Sequence, residues 1–201
     1  MAKAVLAKRV SKRRRLAPTE RRRALIATGF ELLGRRNYQE VEVEDIAAAA
    51  GVSTGLLYHY FPSKRDFYVP VVREAADRLL AVTDIDPELP RRRRLAATME
   101  AYVEYLQQYP AGFAAVHRGA IGADPAVRAI VEDYKRVQLE RVLRDLGLEP
   151  GEHPALELAV RGWQAFVVEV SLEWLDSRQL SPRELRDLFV EAMRRSAAAA
   201  G

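Results

Sequence analysis

Between Val43 and Lys64 the chain reads VEDIAAAAGVSTGLLYHYFPSK, and this stretch limits the possible folds more than any other. Asp45 to Ala50 is small and helix-favouring. Gly51 follows where a helix stops in a left-handed conformation that costs glycine little. Val52 reads as a buried plug and Ser53 as the N-cap of a second helix. That second helix carries Thr54, Gly55, Tyr58, His59 and Tyr60, a dense set of small, hydroxylated and aromatic groups. Two short helices across such a turn form a helix-turn-helix, in which the first braces and the second offers its N-terminal residues to base edges in a major groove.

Charge is distributed in agreement with that reading. Residues 1–65 hold fourteen Lys/Arg against six Asp/Glu, while residues 66–201 hold eighteen against twenty-two. The basic end is the end with the motif, as phosphate binding requires. Within it, residues 1–17 carry seven Lys/Arg and no acid, and form a basic arm too poor in apolar surface to fold alone. Such an arm is suited to phosphate contact, and whether it also reads a minor groove is left open. Its blander role is a solubilising tail.

The remaining chain predicts helices throughout, with no strand alternation or internal repeat. One helix starts after Pro18-Thr19, with Thr19 capping; it carries Leu25, Ile26, Phe30 and Leu33 at helical spacing and ends at a left-handed Asn37. Tyr38 and Val41 pack back onto it, and Ile46, Val52 and Leu57 complete the core of this unit, with Phe61. From Ser63 a helix runs to about Thr83, burying Phe67, Val71, Ala75, Leu79 and Val82, with Pro70 bending it. After an acidic break at Asp84–Pro90, helices are predicted over roughly 91–109, 111–121, 125–146, 155–177 and 182–197. Arg91 to Arg94 open the first of these, the unfavourable end for cations, and are expected to answer Asp84, Asp86 and Glu88.

Residues Glu20 to Leu80 resemble the N-terminal domain of TetR-type transcriptional regulators. The matching pattern is DIAAAAGVSTGLLYHYFPSK, flanked by a helix ending at Asn37-Tyr38 and another starting at Ser63. The resemblance implies an all-α fold: a three-helix DNA-binding domain over 18–64, and a helical effector-binding and dimerisation domain over 65–201. It implies DNA contacts from Ser53, Thr54, Gly55, Tyr58, His59, Tyr60 and Lys64, with Thr54 and Gly55 near base edges and Lys64 on a phosphate. Three positions depart from the family pattern. Glu42 stands where Ser or Thr usually caps the first helix of the motif, and glutamate would repel DNA, so no phosphate contact is carried onto it. Tyr60 replaces a usual His, and Leu56 a frequent hydroxyl residue.

Further expectations concern the C-terminal body. Leu156, Val160, Trp163, Val167, Val170 and Trp174 recur at spacings of four and three, the seam of a helix packed on a helix. The last helix opens with the capping box Ser181-Pro182-Arg183-Glu184. Val167, Val170 and Trp174, with Leu185, Leu188, Phe189 and Ala192, are the expected homodimer face, although intramolecular core is the competing use. Tyr102, Phe113, His117, Tyr134, Trp163 and Phe166 are candidate lining for a small, largely apolar effector, although each can equally be packed core. No cofactor is expected. The three histidines are scattered, and no metal-ligand spacing, phosphate loop or nucleophile motif is present, which argues against an enzyme. No apolar run approaches the ~18 residues of a membrane span. The absence of cysteine is compatible with a cytoplasmic, nucleoid-associated location. The expected activity is a ligand-responsive regulator, a repressor as most in that family, on a palindromic operator. The alternatives are a non-specific nucleoid-type DNA binder and a helical ligand carrier with a vestigial DNA surface.

Overall fold

The computed structural model describes residues 17–200, the side chain of Gln39 excepted. Apart from Ala17, the expected basic arm lies outside the described residues. Within them every regular element is helical. Helix α1 spans Pro18–Arg35, α2 Val43–Ala50, α3 Thr54–Tyr60 and α4 Lys64–Val82. Helices α5 (Arg91–Gln108), α6 (Pro110–Arg118), α7 (Pro125–Leu146), α8 (Pro154–Ser177) and α9 (Pro182–Ala200) follow. Short 3₁₀ turns at Tyr38–Glu40 and Ala120–Ala123 fill two of the gaps.

Most boundaries follow from local chemistry. Ser53 Oγ accepts from Leu56 N–H at 3.2 Å, and Ser63 Oγ from Asp66 N–H at 3.1 Å, so each serine caps the helix after it. Gly51 ends α2 in the left-handed region at φ 64°. Ser181 and Glu184 form the reciprocal cap of α9: Ser181 N–H donates to Glu184 Oε2 at 2.8 Å, and Glu184 N–H to Ser181 Oγ at 3.3 Å. The two ends of α1 differ from expectation. Ala17, not Thr19, holds the N-cap position, because Pro18 is pre-set for the first helical residue and lacks the N–H that would go unpaired there. Glu20 then accepts from Ala17 N–H at 2.9 Å. At the other end the chain leaves α1 through an extended Arg36, not a left-handed Asn37.

Helices α1 to α3 share one core. Leu25, Ile26, Phe30 and Leu33 of α1 are buried with Val41, Ile46, Ala47, Leu57 and Phe61, and Phe67 of α4 closes the cluster, its ring edge-on to Phe61 at 5.0 Å. Val52 and Tyr38 are half-buried against it. Helix α4 continues through Pro70 and packs on α1 on one side and α7 on the other. Its buried set departs from expectation: Val82 in the final turn is exposed, while Tyr68 and Val72, nearer the start, are buried with Val71 and Leu79. Helix α6 reaches α1 at Gly112, where an added Cβ would lie 3.0 Å from Gly34 Cα, so only glycine fits without moving a backbone.

The arginine run at the start of α5 is tied differently from the charge argument. Arg94 donates to Leu89 O at 2.7 Å, to Pro87 O, and to Asp145 Oδ1 at 2.8 Å. Asp84 is answered instead by Arg141 at 3.5 Å. The 84–90 loop folds so that the start of α5 meets the end of α7, a juxtaposition no local pattern specifies.

Candidate nucleic-acid interface and the cavity behind it

On α3, Leu57 is buried, so the opposite side of the helix faces solvent. Ser53, Gly55, Tyr58 and His59 are exposed there, and Thr54 is half-buried. An added Cβ on Gly55 would meet nothing within 4 Å, so the smallness of this residue is not required by the protein's own packing. Tyr60, like Thr54, is not exposed: it is half-buried against the core, with the His59 ring edge-on at 5.3 Å. Lys64, half-buried at the start of α4, holds Nζ over the Tyr38 ring at 4.7 Å. Glu42 takes the N-cap position of α2 without a side-chain cap, and its N–H donates to Asp45 Oδ2 at 3.1 Å.

Behind α4 lies a cavity of about 680 Å³. Its walls come from α4 (Val71, Val72, Ala75, Leu79), α5, α6, α7 and α8, with α1 and α9 contributing Phe30, Leu33 and Met193. Five of the six candidate lining residues, Tyr102, Phe113, His117, Tyr134 and Trp163, are brought together on it. Phe166 is not: it stands 37% exposed on the outer side of α8. It falls instead in line with Gly162 and Val170, four residues to either side, at the edge of the inward face that Trp163, Gln164 and Val167 present to the cavity. Tyr38 and Tyr68 also line the cavity, and their rings meet edge-on at 4.4 Å. From the sequence Tyr38 is expected only as packing, and no local pattern marks Tyr68.

The wall also carries charged residues, among them Arg94, Lys135, Arg141 and Asp145, and its enclosed polar groups are mostly paired. Tyr102 Oη and Ser171 Oγ are 3.1 Å apart, and burial pushes the Tyr102 phenol well above its usual range. Gln138 Nε2 donates to Thr83 Oγ1 at 2.9 Å and to Tyr134 Oη at 3.2 Å. Burial raises the Tyr134 phenol to about 12. Trp163 Nε1 donates to Phe189 O at 2.9 Å. His117 lies against Phe113, ring centroids 4.5 Å apart; burial and then the Lys135 charge lower its pKa to about 4, so it is neutral at pH 7. Gln138 was legible as a partner only through its spacing of four from Tyr134, and nothing in the sequence marked Thr83.

The expected dimer residues separate into two groups. Val167, Trp174, Leu185 and Phe189 are buried within one subunit, Phe189 at 0% exposure, and belong to the intramolecular core. Trp174 Nε1 also donates to Leu180 O at 2.7 Å. Four of the seven residues of the expected face are thus enclosed within one subunit. Leu188 is 39% exposed, and Val170 and Ala192 are half-buried. With Phe166, Gly162 and Leu158 they lie on the exposed side of α8 and α9, where a shallow depression runs between Ala159, Gly162, Phe166 and Ala192. Helix α8 thus carries two apolar stripes, and the spacing of four and three marks the inward one.

Among the described residues no group of three or more His, Cys, Asp and Glu is placed to hold a metal ion, and no helix is long and apolar enough to cross a membrane.

Comparison with known proteins agrees with this architecture. Residues 25–69 match the family model of bacterial regulatory proteins of the tetR family, and residues 91–195 match the tetracyclin repressor-like C-terminal domain. The chain is 30% identical over 169 residues to the HTH-type transcriptional activator FasR of Mycolicibacterium smegmatis, covering 81% of this chain and 76% of that protein. It is 29% identical over 167 residues to the transcriptional regulator AcuR of Cereibacter sphaeroides, covering 75% and 76%. A crystal structure of a tetR-family transcriptional regulator from Streptomyces coelicolor superposes with a TM-score of 0.85 at 31% identity, covering 92% of this chain and 83% of that one. A capped helix-turn-helix, a helical body and these matches over both halves leave one assignment: the chain belongs to the TetR family of transcriptional regulators.

Proposed function

We propose that this regulator binds a palindromic operator as a homodimer and is released from it by a small, largely apolar effector, acting as a repressor. Residues 18–64 form the DNA-binding domain and residues 65–201 the effector-binding and dimerisation domain, with the arm over 1–17 adding phosphate contacts. Thr54 and Gly55 approach base edges. Ser53, Tyr58 and His59 hold the backbone, and Lys64 neutralises a phosphate. Tyr60, half-buried, contributes mainly by positioning His59. Two-fold symmetry then asks for half-sites about one helical turn apart, or a variant of that spacing.

The observation that carries the reading is that α4 belongs to both sites. Its first residue is Lys64, and its Val71, Val72, Ala75 and Leu79 form a wall of the cavity. An effector that fits the cavity better in one placement of α4 therefore shifts the spacing of the two recognition helices, by no more than its differential affinity. Pro70, inside α4 between the two sites, is the pivot. The exposed stripe of α8 and α9, with Phe166, Val170, Leu188 and Ala192, pairs with its copy.

Selecting bound sites from random DNA, with and without apolar compounds, tests this. A palindrome whose recovery falls when a compound is added supports the reading. Binding that ignores sequence would instead support the nucleoid-type alternative.

A further inference from the structure

Gln164 of α8 differs from every other polar residue on the cavity wall. Among the described residues its Oε1 is the enclosed side-chain polar atom left without a hydrogen-bond partner, and the residue is only 9% exposed. Its Nε2 donates to Lys135 O at 2.9 Å, which sets the orientation of the amide: turned over, the oxygen would face a carbonyl. Enclosed acceptors without partners are unfavourable and rare in native folds, and their usual explanation is a role or a missing partner. The other enclosed groups on this wall are answered, Tyr102 by Ser171 and Trp163 by Phe189 O. Charge near Gln164 is already balanced, since Lys135 Nζ donates to Glu132 Oε1 at 2.9 Å and His117 is neutral at pH 7.

We propose that Gln164 Oε1 accepts a hydrogen bond from the effector, which is therefore an uncharged, mainly apolar molecule bearing a hydroxyl or amide N–H. This rests on the reading of the cavity as the effector site. A cavity of about 680 Å³ has room for a molecule of drug size. Of the wall's carboxylates, Asp84 and Asp145 are already paired with Arg141 and Arg94, so a neutral donor is favoured over an ammonium, which would lose its hydration without a free counter-charge.

The test uses the full chain and Nile red, a non-donor dye that brightens in apolar sites, displaced by either dodecanol or its isomer methyl undecyl ether. Dodecanol should displace the dye at about tenfold lower concentration than the ether, the worth of one buried hydrogen bond. In Gln164→Met the two should become equal while dye affinity is kept. Equal displacement in the wild-type protein overturns the proposal without reference to any variant, and so does a preference that survives Gln164→Met. If the dye is not taken up, or neither compound displaces it, the reading of the cavity as a ligand site fails first and the proposal with it.

Discussion

Lys64 Nζ lies 4.7 Å from the centroid of the Tyr38 ring, and Tyr38 also lines the cavity. One side chain therefore touches both the candidate phosphate contact and the candidate effector site, and the Tyr68 ring against it continues the path inward. Tyr38→Leu keeps the apolar bulk but removes a cation–π contact worth about 0.5–1 kcal/mol. Operator affinity is expected to fall by about two- to fivefold with base preference unchanged, as read by fluorescence anisotropy on matched and mismatched duplexes. A change in preference would place Tyr38 in base readout instead.

Lys64 and Thr54 should fail in different ways. Lys64→Ala is expected to weaken binding to all sequences alike and to lower the slope of log affinity against log salt by about one ion. Thr54→Ala should relax preference at one base pair per half-site and leave the salt slope alone. If both variants merely scale affinity, base readout lies elsewhere on α3.

Arg65 ties the start of α4 to the start of α7: its Nε and Nη2 donate to Asp124 at 2.5 and 2.9 Å, while Asp124 also accepts from Ala126 N–H at 2.8 Å. The Arg65 hydrogen bond, then that backbone bond, hold the Asp124 carboxyl below its ordinary value of 3.8. A depressed carboxylate stabilises the fold above its unfolded pKa, and that contribution is lost as pH falls through the folded value. The melting temperature of Asp124→Asn should therefore lie below wild type at neutral pH and converge with it in the acid range below 3.8. A gap that stays constant with pH would show that Arg65 contributes nothing through charge.

His117 should give a window at higher pH. The unfolded histidine takes its proton near 6.5 and the folded one only near 4, so the unfolded state binds more protons in between and stability falls as pH drops across that range. From pH 7 to 5 this amounts to about 2 kcal/mol. Urea unfolding of His117→Gln should lack that increment. Identical pH dependence in the two proteins would mean that His117 is hydrated.

Two phenylalanines separate core from interface. Phe189→Ala empties a fully buried site and should destabilise each subunit by about 3–5 kcal/mol. Phe166→Glu places a charge on an exposed residue, so far-UV circular dichroism should be unchanged while light scattering shows monomers. A dimer that persists in Phe166→Glu would move the interface off the outer stripe of α8.

Helix positions were largely legible because their signals are local. A serine before a helix, a glycine after one and a proline at a first turn act within four residues, so Ser53, Ser63, Gly51 and Pro182 marked boundaries that the structure reproduces. Thr19 misled because Pro18 competed for the same start and is the stronger signal there. The exposure of Ser53, Gly55, Tyr58 and His59 follows in turn from one buried neighbour, Leu57.

What the sequence by itself determined was the all-helical order, the motif and the family, each written in spacings of a few residues. Tertiary structure alone decided which apolar stripe of α8 and α9 turns inward, so that Phe189 is core and Phe166 is not. It also brought Tyr38 to Lys64, Arg65 to Asp124 and Gln164 to the cavity wall. The physical reason is that periodicity marks the apolar sides of a helix, but only the neighbour packed against one side determines which of them is buried.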